Sequence, residues 1–163
     1  MLPIVIVDDS LEDALLAQRT VGLCKIQNPV VLLKSGQACI NYFSGTKPFQ
    51  DRVLPCILLL DMMMSPVSGL NVLRTIRDNR TARGSIVVML SGLADIKTIH
   101  EGYQLGANTF LVKPLLAEDV MQMVRAIPKL GINRVPQGYE LFLADSLVER
   151  RPRDTPTYPD LRA

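Results

Sequence analysis

Long hydrophobic runs are missing from this chain: the longest apolar stretches, such as Ile57-Leu58-Leu59-Leu60, have only the length of a strand. Met1-Leu2-Pro3 does not lead into a basic region and a cleavage site, so neither export nor membrane insertion is expected, and the cytoplasm is the expected compartment. Cysteine is scarce. Cys24, Cys39 and Cys56 form no CxxC pair and are odd in number, which suits neither a disulfide framework nor a zinc site. A surplus of one charge is missing too. The 18 Lys+Arg against 16 Asp+Glu leave a formal +2, without the excess carried by a general nucleic-acid-binding or membrane-surface protein. The chain has no internal repeat and no low-complexity tract.

What remains is 163 residues, 48% of them hydrophobic, enough for one compact domain and an appendage. Short apolar runs at Ile4–Val7, Val30–Leu33, 56–60, 86–90 and Thr109–Val112 have the character of strands covered on both faces. Segments with helical spacing alternate with them: Leu11–Leu23, 36–43, 69–79, 95–105 and 115–127. Ser10 can cap the first helix, and Glu12 and Asp13 favour the positive end of its dipole. The expectation is an α/β chain of five βα units, with a five-stranded parallel sheet, right-handed crossovers and helices on both faces. Residues 44–55 are long for a connection in this class and read as an exposed insertion.

After Pro128 the pattern stops, and the last 36 residues hold five of the eleven prolines. The expected division is therefore a domain over 1–128 and a tail over 129–163. The tail has one apolar island at 139–148, where Tyr139, Leu143 and Leu147 fit a helix while Tyr139, Leu141 and Leu143 fit a strand. Beyond it the composition is charged and Pro-rich, and mobility is expected.

In a parallel sheet, ligands bind outside the carboxyl ends of the strands. Strand one ends in Asp8-Asp9, strand three in Asp61 and strand five in Lys113-Pro114. Three converging carboxylates repel one another, and hard oxygen donors favour a divalent cation that keeps several waters, typically Mg²⁺. Strand four ends in Ser91-Gly92, a hydroxyl and an unobstructed N–H suited to a phosphoryl oxygen. Lys113 adds a fixed positive charge. The set fits transfer of a phosphoryl group to Asp61 and its retention as an acyl phosphate.

In these residues the chain resembles the receiver domain of bacterial two-component response regulators, including single-domain chemotaxis-type and phytochrome-type members. The resemblance rests on Asp8-Asp9, Asp61, Gly69 eight residues later, Ser91 thirty residues after Asp61, Phe110 and Lys113-Pro114, and it covers roughly the first four-fifths of the chain. It implies a flavodoxin-like, CheY-like doubly wound sheet with strand order 2-1-3-4-5. It further implies Asp61 as phosphoacceptor, and Asp8, Asp9, Asp61 and the Met63 carbonyl as Mg²⁺ ligands. Ser91, Gly92 and Lys113 would bind the phosphoryl group, with Phe110 as a switch residue and a cis Lys113–Pro114 bond aiming the lysine. Partners implied are a sensor histidine kinase or histidine phosphotransfer protein and a downstream protein, with a homodimer through helix four, strand five and helix five as an option. The resemblance implies a signalling phosphoprotein rather than an enzyme, and the 36 residues from Pro128 onward contain no convincing helix-turn-helix, so no DNA-binding output domain is expected.

Two departures stand out. Ser65 occupies a place where the family often has proline, Pro66 following, so a differently shaped loop is expected. Met63 and Leu93 fill two variable positions that influence water access to the phosphoryl group, and neither side chain can hydrogen-bond an attacking water. A long-lived acyl phosphate is expected.

Plainer readings exist for single residues. Asp8-Asp9 can cap helix one, Ser91 can be a turn residue, Lys113 a solvated charge and Phe110 simple core; their joint placement is what argues for a site. His100, the only histidine, reads as an exposed helix residue, and the cysteines as small buried hydrophobes. Helix five carries a second apolar row, Ala117, Met121 and Val124, to be covered either by the island at 139–148 or by a partner. Among rival functions, a haloacid-dehalogenase-type phosphatase needs a second acid two residues beyond its nucleophile, where this chain has Met63. A flavodoxin-like cofactor binder needs a phosphate-cradling loop after strand one, where this chain has Asp8-Asp9, which would repel a phosphate. A fragment of, or partner to, a transcriptional regulator is the remaining alternative.

Overall fold

A computed structural model describes residues 1–144. The elements run β1 (Ile4–Val7), α1 (Leu11–Leu23), β2 (Val30–Leu33), α2 (Gly36–Ser44), β3 (Ile57–Asp61), α3 (Gly69–Asp78), β4 (Ile86–Ser91), α4 (Ile96–Gln104), β5 (Thr109–Val112), α5 (Ala117–Ala126), β6 (Leu130–Val135) and β7 (Gly138–Leu143). The first five strands form one parallel sheet in the order β2-β1-β3-β4-β5, with Ile4 opposite both Val30 and Ile57. The expected doubly wound order is the observed one.

Alternation along the strands divides the core in two. Ile4, Ile6, Ile57, Leu59, Ile86, Val88 and Leu90 face α1 and α5, where Ala14, Ala17, Val21, Val120 and Met123 meet them. Val5, Val7, Leu58, Leu60, Val87 and Met89 face the other layer, with Cys39, Phe43, Val72, Leu73 and Ile76 of α2 and α3. The central strands β1, β3 and β4 are buried along their whole length, which is why they read as unbroken apolar runs. Burial pushes the Cys56 thiol up to about 12 and raises Cys39 as well, so both behave as small apolar side chains.

Helix starts follow their caps. Ser10, Ser35, Ser68 and Asp95 each accept a hydrogen bond from the backbone N–H three residues on, at 2.7 to 3.3 Å. Asp95 is thus a cap rather than the first helical residue. α5 begins at Ala117, two residues later than the spacing predicts, because Leu115 is spent on the core and Leu116 is extended; Asp119 Oδ2 accepts the Leu116 N–H at 3.0 Å.

Residues 44–55 are mostly exposed, as expected of an insertion, but they are tied to α2 rather than free. The Tyr42 hydroxyl donates to the Val53 carbonyl, Arg52 donates to the Phe43 carbonyl, and the Phe49 ring packs on Tyr42 at 5.6 Å. The chain after Pro128 also departs from a plain tail. β6 and β7 form an antiparallel hairpin, so the part of the 139–148 island within the described residues is strand, and the rest lies outside them. Leu130, Ile132 and Leu141 are buried in the same core as α1 and α5, and the core runs on past residue 128. Val124 is buried there too, whereas Ala117 and Met121 line an open groove with Tyr139. The hairpin docks at the amino-terminal end of the sheet, where Tyr139 bridges Ile26. Buried Asn28 fastens it. Its side-chain amide donates to the Leu2 and Leu141 carbonyls at 2.7 and 2.9 Å and accepts the Leu141 N–H at 2.7 Å. Among the described residues no helix is long and apolar enough to cross a membrane.

Candidate functional site

At the opposite end, the carboxyl ends of β1, β3, β4 and β5 surround an open cleft of about 510 Å³. Asp61 is the last residue of β3 and is buried, as is Asp8 just beyond β1; Asp9 is exposed beside them. One carboxylate oxygen from each of Asp8, Asp9 and Asp61 lies within 4.8 Å of the others. Three acids so close, two of them buried, repel one another and are held together only by positive charge or hydrogen bonds.

Part of that charge comes from Lys113. The Lys113–Pro114 bond is cis, and the ammonium lies 2.5 Å from Asp8 Oδ2, 3.1 Å from Asp13 Oδ2 and 3.3 Å from Asp61 Oδ1. Burial alone would lower the lysine's pKa, but hydrogen bonds to Asp8 and Asp13 and the nearby Asp61 charge outweigh it and hold the ammonium above its ordinary range. For Asp61 the balance tips the other way. Burial raises it above the ordinary carboxylate range, opposed by the Met63 N–H at 3.2 Å, reinforced by Asp8 and opposed again by Lys113. The remaining carboxylate contacts are backbone donors: Ser10 N–H to Asp8 Oδ1 at 2.9 Å and Ser65 N–H to Asp9 Oδ2 at 3.4 Å. The Ser65-Pro66 loop thereby sits directly on Asp9.

Gly69 follows from this packing. A Cβ there would lie 2.2 Å from the Asp61 carbonyl oxygen, so α3 can start against the acceptor strand only with glycine. Ser91 ends β4, buried, and its hydroxyl has no hydrogen-bond partner. A buried hydroxyl in that condition asks for an explanation, and a ligand oxygen arriving in the cleft is one. Gly92 follows on the rim, with open space where a Cβ would stand. Met63 and Leu93 flank the mouth, 74% and 97% exposed. Met63 presents a thioether to solvent where a haloacid-dehalogenase-type acid would have to stand.

Of the expected site residues, buried Ser91 does not line the open cleft, Pro114 lines the neighbouring pocket, and Phe110 lines neither. Its ring rests against α4, 5.1 Å from the Tyr103 ring, in space that exists because residue 102 is glycine: a Cβ there would be 2.3 Å from the Phe110 ring edge. His100 is exposed on α4 beside Gln104. The sequence reading missed Asp13. It stands in the first turn of α1, where the helix dipole alone explains an acid, and only its contact with Lys113 places it at the cleft.

The donor set is one of hard oxygens, the kind that holds Mg²⁺ or Mn²⁺, and the raised Asp61 with its buried like-charged neighbour fits a cation at this place.

Comparison with known proteins agrees with this geometry. A family model described as the response regulator receiver domain matches residues 4–125. The response regulator Rcp1 of Synechocystis sp. is 25% identical over 132 residues, covering 81% of this chain and 90% of Rcp1. The probable methanogenesis regulatory protein FilR2 of Methanothrix harundinacea is 30% identical over 135 residues, covering 82% of this chain and 86% of that protein. Among solved structures, the bacteriophytochrome response regulator RtBRR is similar with a TM-score of 0.75 at 26% identity, over 84% of each chain. The Mn(2+)-bound form of response regulator Rcp1 gives 0.66 at 25% identity, covering 78% of this chain and 91% of that one.

Proposed function

The chain belongs to the response regulator receiver family, and from that premise we propose that it carries its signal as a phosphoryl group on Asp61, taken from a phosphohistidine of a histidine kinase or histidine phosphotransfer protein in the cytoplasm. The observation that carries this reading is the cleft itself: a buried strand-end carboxylate, Asp61, ringed by Asp8, Asp9 and Lys113, with the unpartnered Ser91 hydroxyl at the same edge. Asp8, Asp9 and Asp61, with the Met63 carbonyl, would hold Mg²⁺, which when bound neutralises charge on the oxygens of the transferring group.

An Asp61 carboxylate oxygen attacks phosphorus, the P–N bond to the donor imidazole breaks, and the imidazole leaves with the bonding electrons. Lys113 then takes a phosphoryl oxygen in place of the Asp61 oxygen it now faces. Ser91 and the Gly92 N–H bind a second oxygen, and Phe110 moves from its seat against α4 toward the space the Ser91 hydroxyl leaves. That movement is the output, read by a protein partner. Val112 and Leu116, both exposed, supply apolar surface on the β5 and α5 side for such a partner or for a second copy. The chain acts as a phosphoacceptor that assists its own loading and unloading rather than as an enzyme with a separate substrate.

Incubation with Mg²⁺ and acetyl phosphate, read by intact mass, tests the assignment. One added phosphoryl group on the wild type and none on Asp61→Asn is expected; label retained by the variant, or no label on the wild type, would overturn it.

A further inference from the structure

Lys113 has three N–H donors and faces three carboxylates. Two of them, Asp8 and Asp61, belong to the acidic cluster; the third, Asp13, comes from the first turn of α1 and is nearer to the ammonium than Asp61 is, 3.1 Å against 3.3 Å. Asp13 and Lys113 line both the acidic cleft and a second, more apolar pocket of about 270 Å³, so the pair forms the wall between them. The Asp13 side chain is 48% exposed, and apart from Lys113 it has no charged partner among the described contacts.

We propose that Asp13 is a positioning residue which competes with the acceptor for Lys113, holding the ammonium on the α1 side of the cleft until a phosphoryl group draws it across. The inference rests on Asp61 being the phosphoacceptor. The competition has a definite sign. Before phosphorylation, Asp13 absorbs part of the lysine's charge, so Asp8 and Asp61 keep more of theirs for a cation. Once an anionic group sits on Asp61, Asp13 becomes a like charge beside it and a rival for its lysine. Removing the Asp13 charge therefore weakens cation binding and strengthens anion retention, two changes in opposite directions. A purely structural role, or a role as an anchor that steadies Lys113 for the phosphoryl group, moves anion retention downward or leaves it alone.

The test compares wild type with Asp13→Asn, Asp13→Glu and Glu12→Gln, the last removing a carboxylate from the same helical turn. Calorimetric titration with MgCl₂ gives the cation affinity, and titration with beryllofluoride at saturating Mg²⁺ gives the affinity for a phosphoryl-like anion on Asp61. Asp13→Asn is expected to bind Mg²⁺ about two- to fivefold more weakly and beryllofluoride about two- to fivefold more tightly, the range for a half-exposed ion pair. Both differences shrink on raising KCl from about 0.02 to about 0.5 M, because the charge is reached by solvent. Asp13→Glu restores both affinities toward wild type, and Glu12→Gln changes neither by as much. Affinities that fall together in Asp13→Asn, or that both stay unchanged, overturn the competition while leaving the acceptor assignment standing. Failure of the wild type itself to bind beryllofluoride in Mg²⁺ overturns the acceptor assignment and the competition with it.

Discussion

The two ends of the sheet bury polar groups to opposite effect. At the amino-terminal end Asn28 uses its side-chain oxygen and nitrogen in three hydrogen bonds that fasten the β6–β7 hairpin to the start of β1. At the carboxyl end Asp8 and Asp61 are buried together, Asp61 is raised by its surroundings, and the Ser91 hydroxyl bonds to nothing. Two arginines also have an unpartnered buried nitrogen, Arg52 and Arg77, but each donates through its other nitrogens, whereas Ser91 has no other polar side-chain atom. Satisfied polar burial holds a fold together; unsatisfied polar burial marks a place kept ready for something absent.

The contrast can be broken at either end. The largest effect is expected from Asn28→Ala, which strands two backbone carbonyls and one N–H and should cost about 3 kcal/mol in urea unfolding. A loss below about 0.5 kcal/mol would mean that the hairpin is not fastened there. Asp61→Asn should act in the other direction. Because the folded pKa of Asp61 is raised, the folded state holds that proton more tightly than the unfolded chain does. Stability linked to it is greatest below the unfolded value of about 3.9 and falls as pH rises through the raised folded value. At neutral pH without divalent cations the amide should therefore stabilise by about 1 kcal/mol, a rise of roughly 2–4 °C in Tm. A lower Tm would show that Asp61 is adequately paired and that the two ends do not differ as described.

Smaller effects sharpen the comparison. Met63→Asn places an amide at the open mouth of the cleft and should speed loss of the phosphoryl group severalfold, corresponding to about 1 kcal/mol in the barrier. Phosphate loss no faster than in wild type would remove the apolar rim from the account. Ser91→Ala should leave stability within about 0.5 kcal/mol of wild type, since no hydrogen bond is lost. A clear destabilisation would assign the hydroxyl a structural role instead.

Legibility in the sequence follows the same division. The central strands β1, β3 and β4 stand out because a strand buried on both faces is an unbroken apolar run, the half-buried edge strands β2 and β5 stand out as short apolar runs between helices, and the acids, Ser91 and Lys113 stand out because each follows such a run directly. The hairpin does not. β6 reads Leu-Gly-Ile-Asn-Arg-Val, with two buried apolar residues, and β7 fits helix and strand spacing alike until its partner is known. What settles it is Asn28, more than a hundred residues earlier, and a long-range amide contact leaves no periodic trace. Asp13 is not legible, because one acid in the first turn of a helix already has a sufficient explanation in the dipole. Phe110 was legible as a residue and not as a position, because its seat depends on the missing Cβ of Gly102.

Chemical location of the phosphoryl group tests the central claim most directly. After incubation with acetyl phosphate and Mg²⁺, borohydride reduces an acyl phosphate to an alcohol and so converts an acceptor aspartate to homoserine, which peptide mass mapping can place. Homoserine at position 61 and at no other acidic residue is the predicted result; conversion at Asp8, Asp9 or Asp13, or at none, would contradict the account.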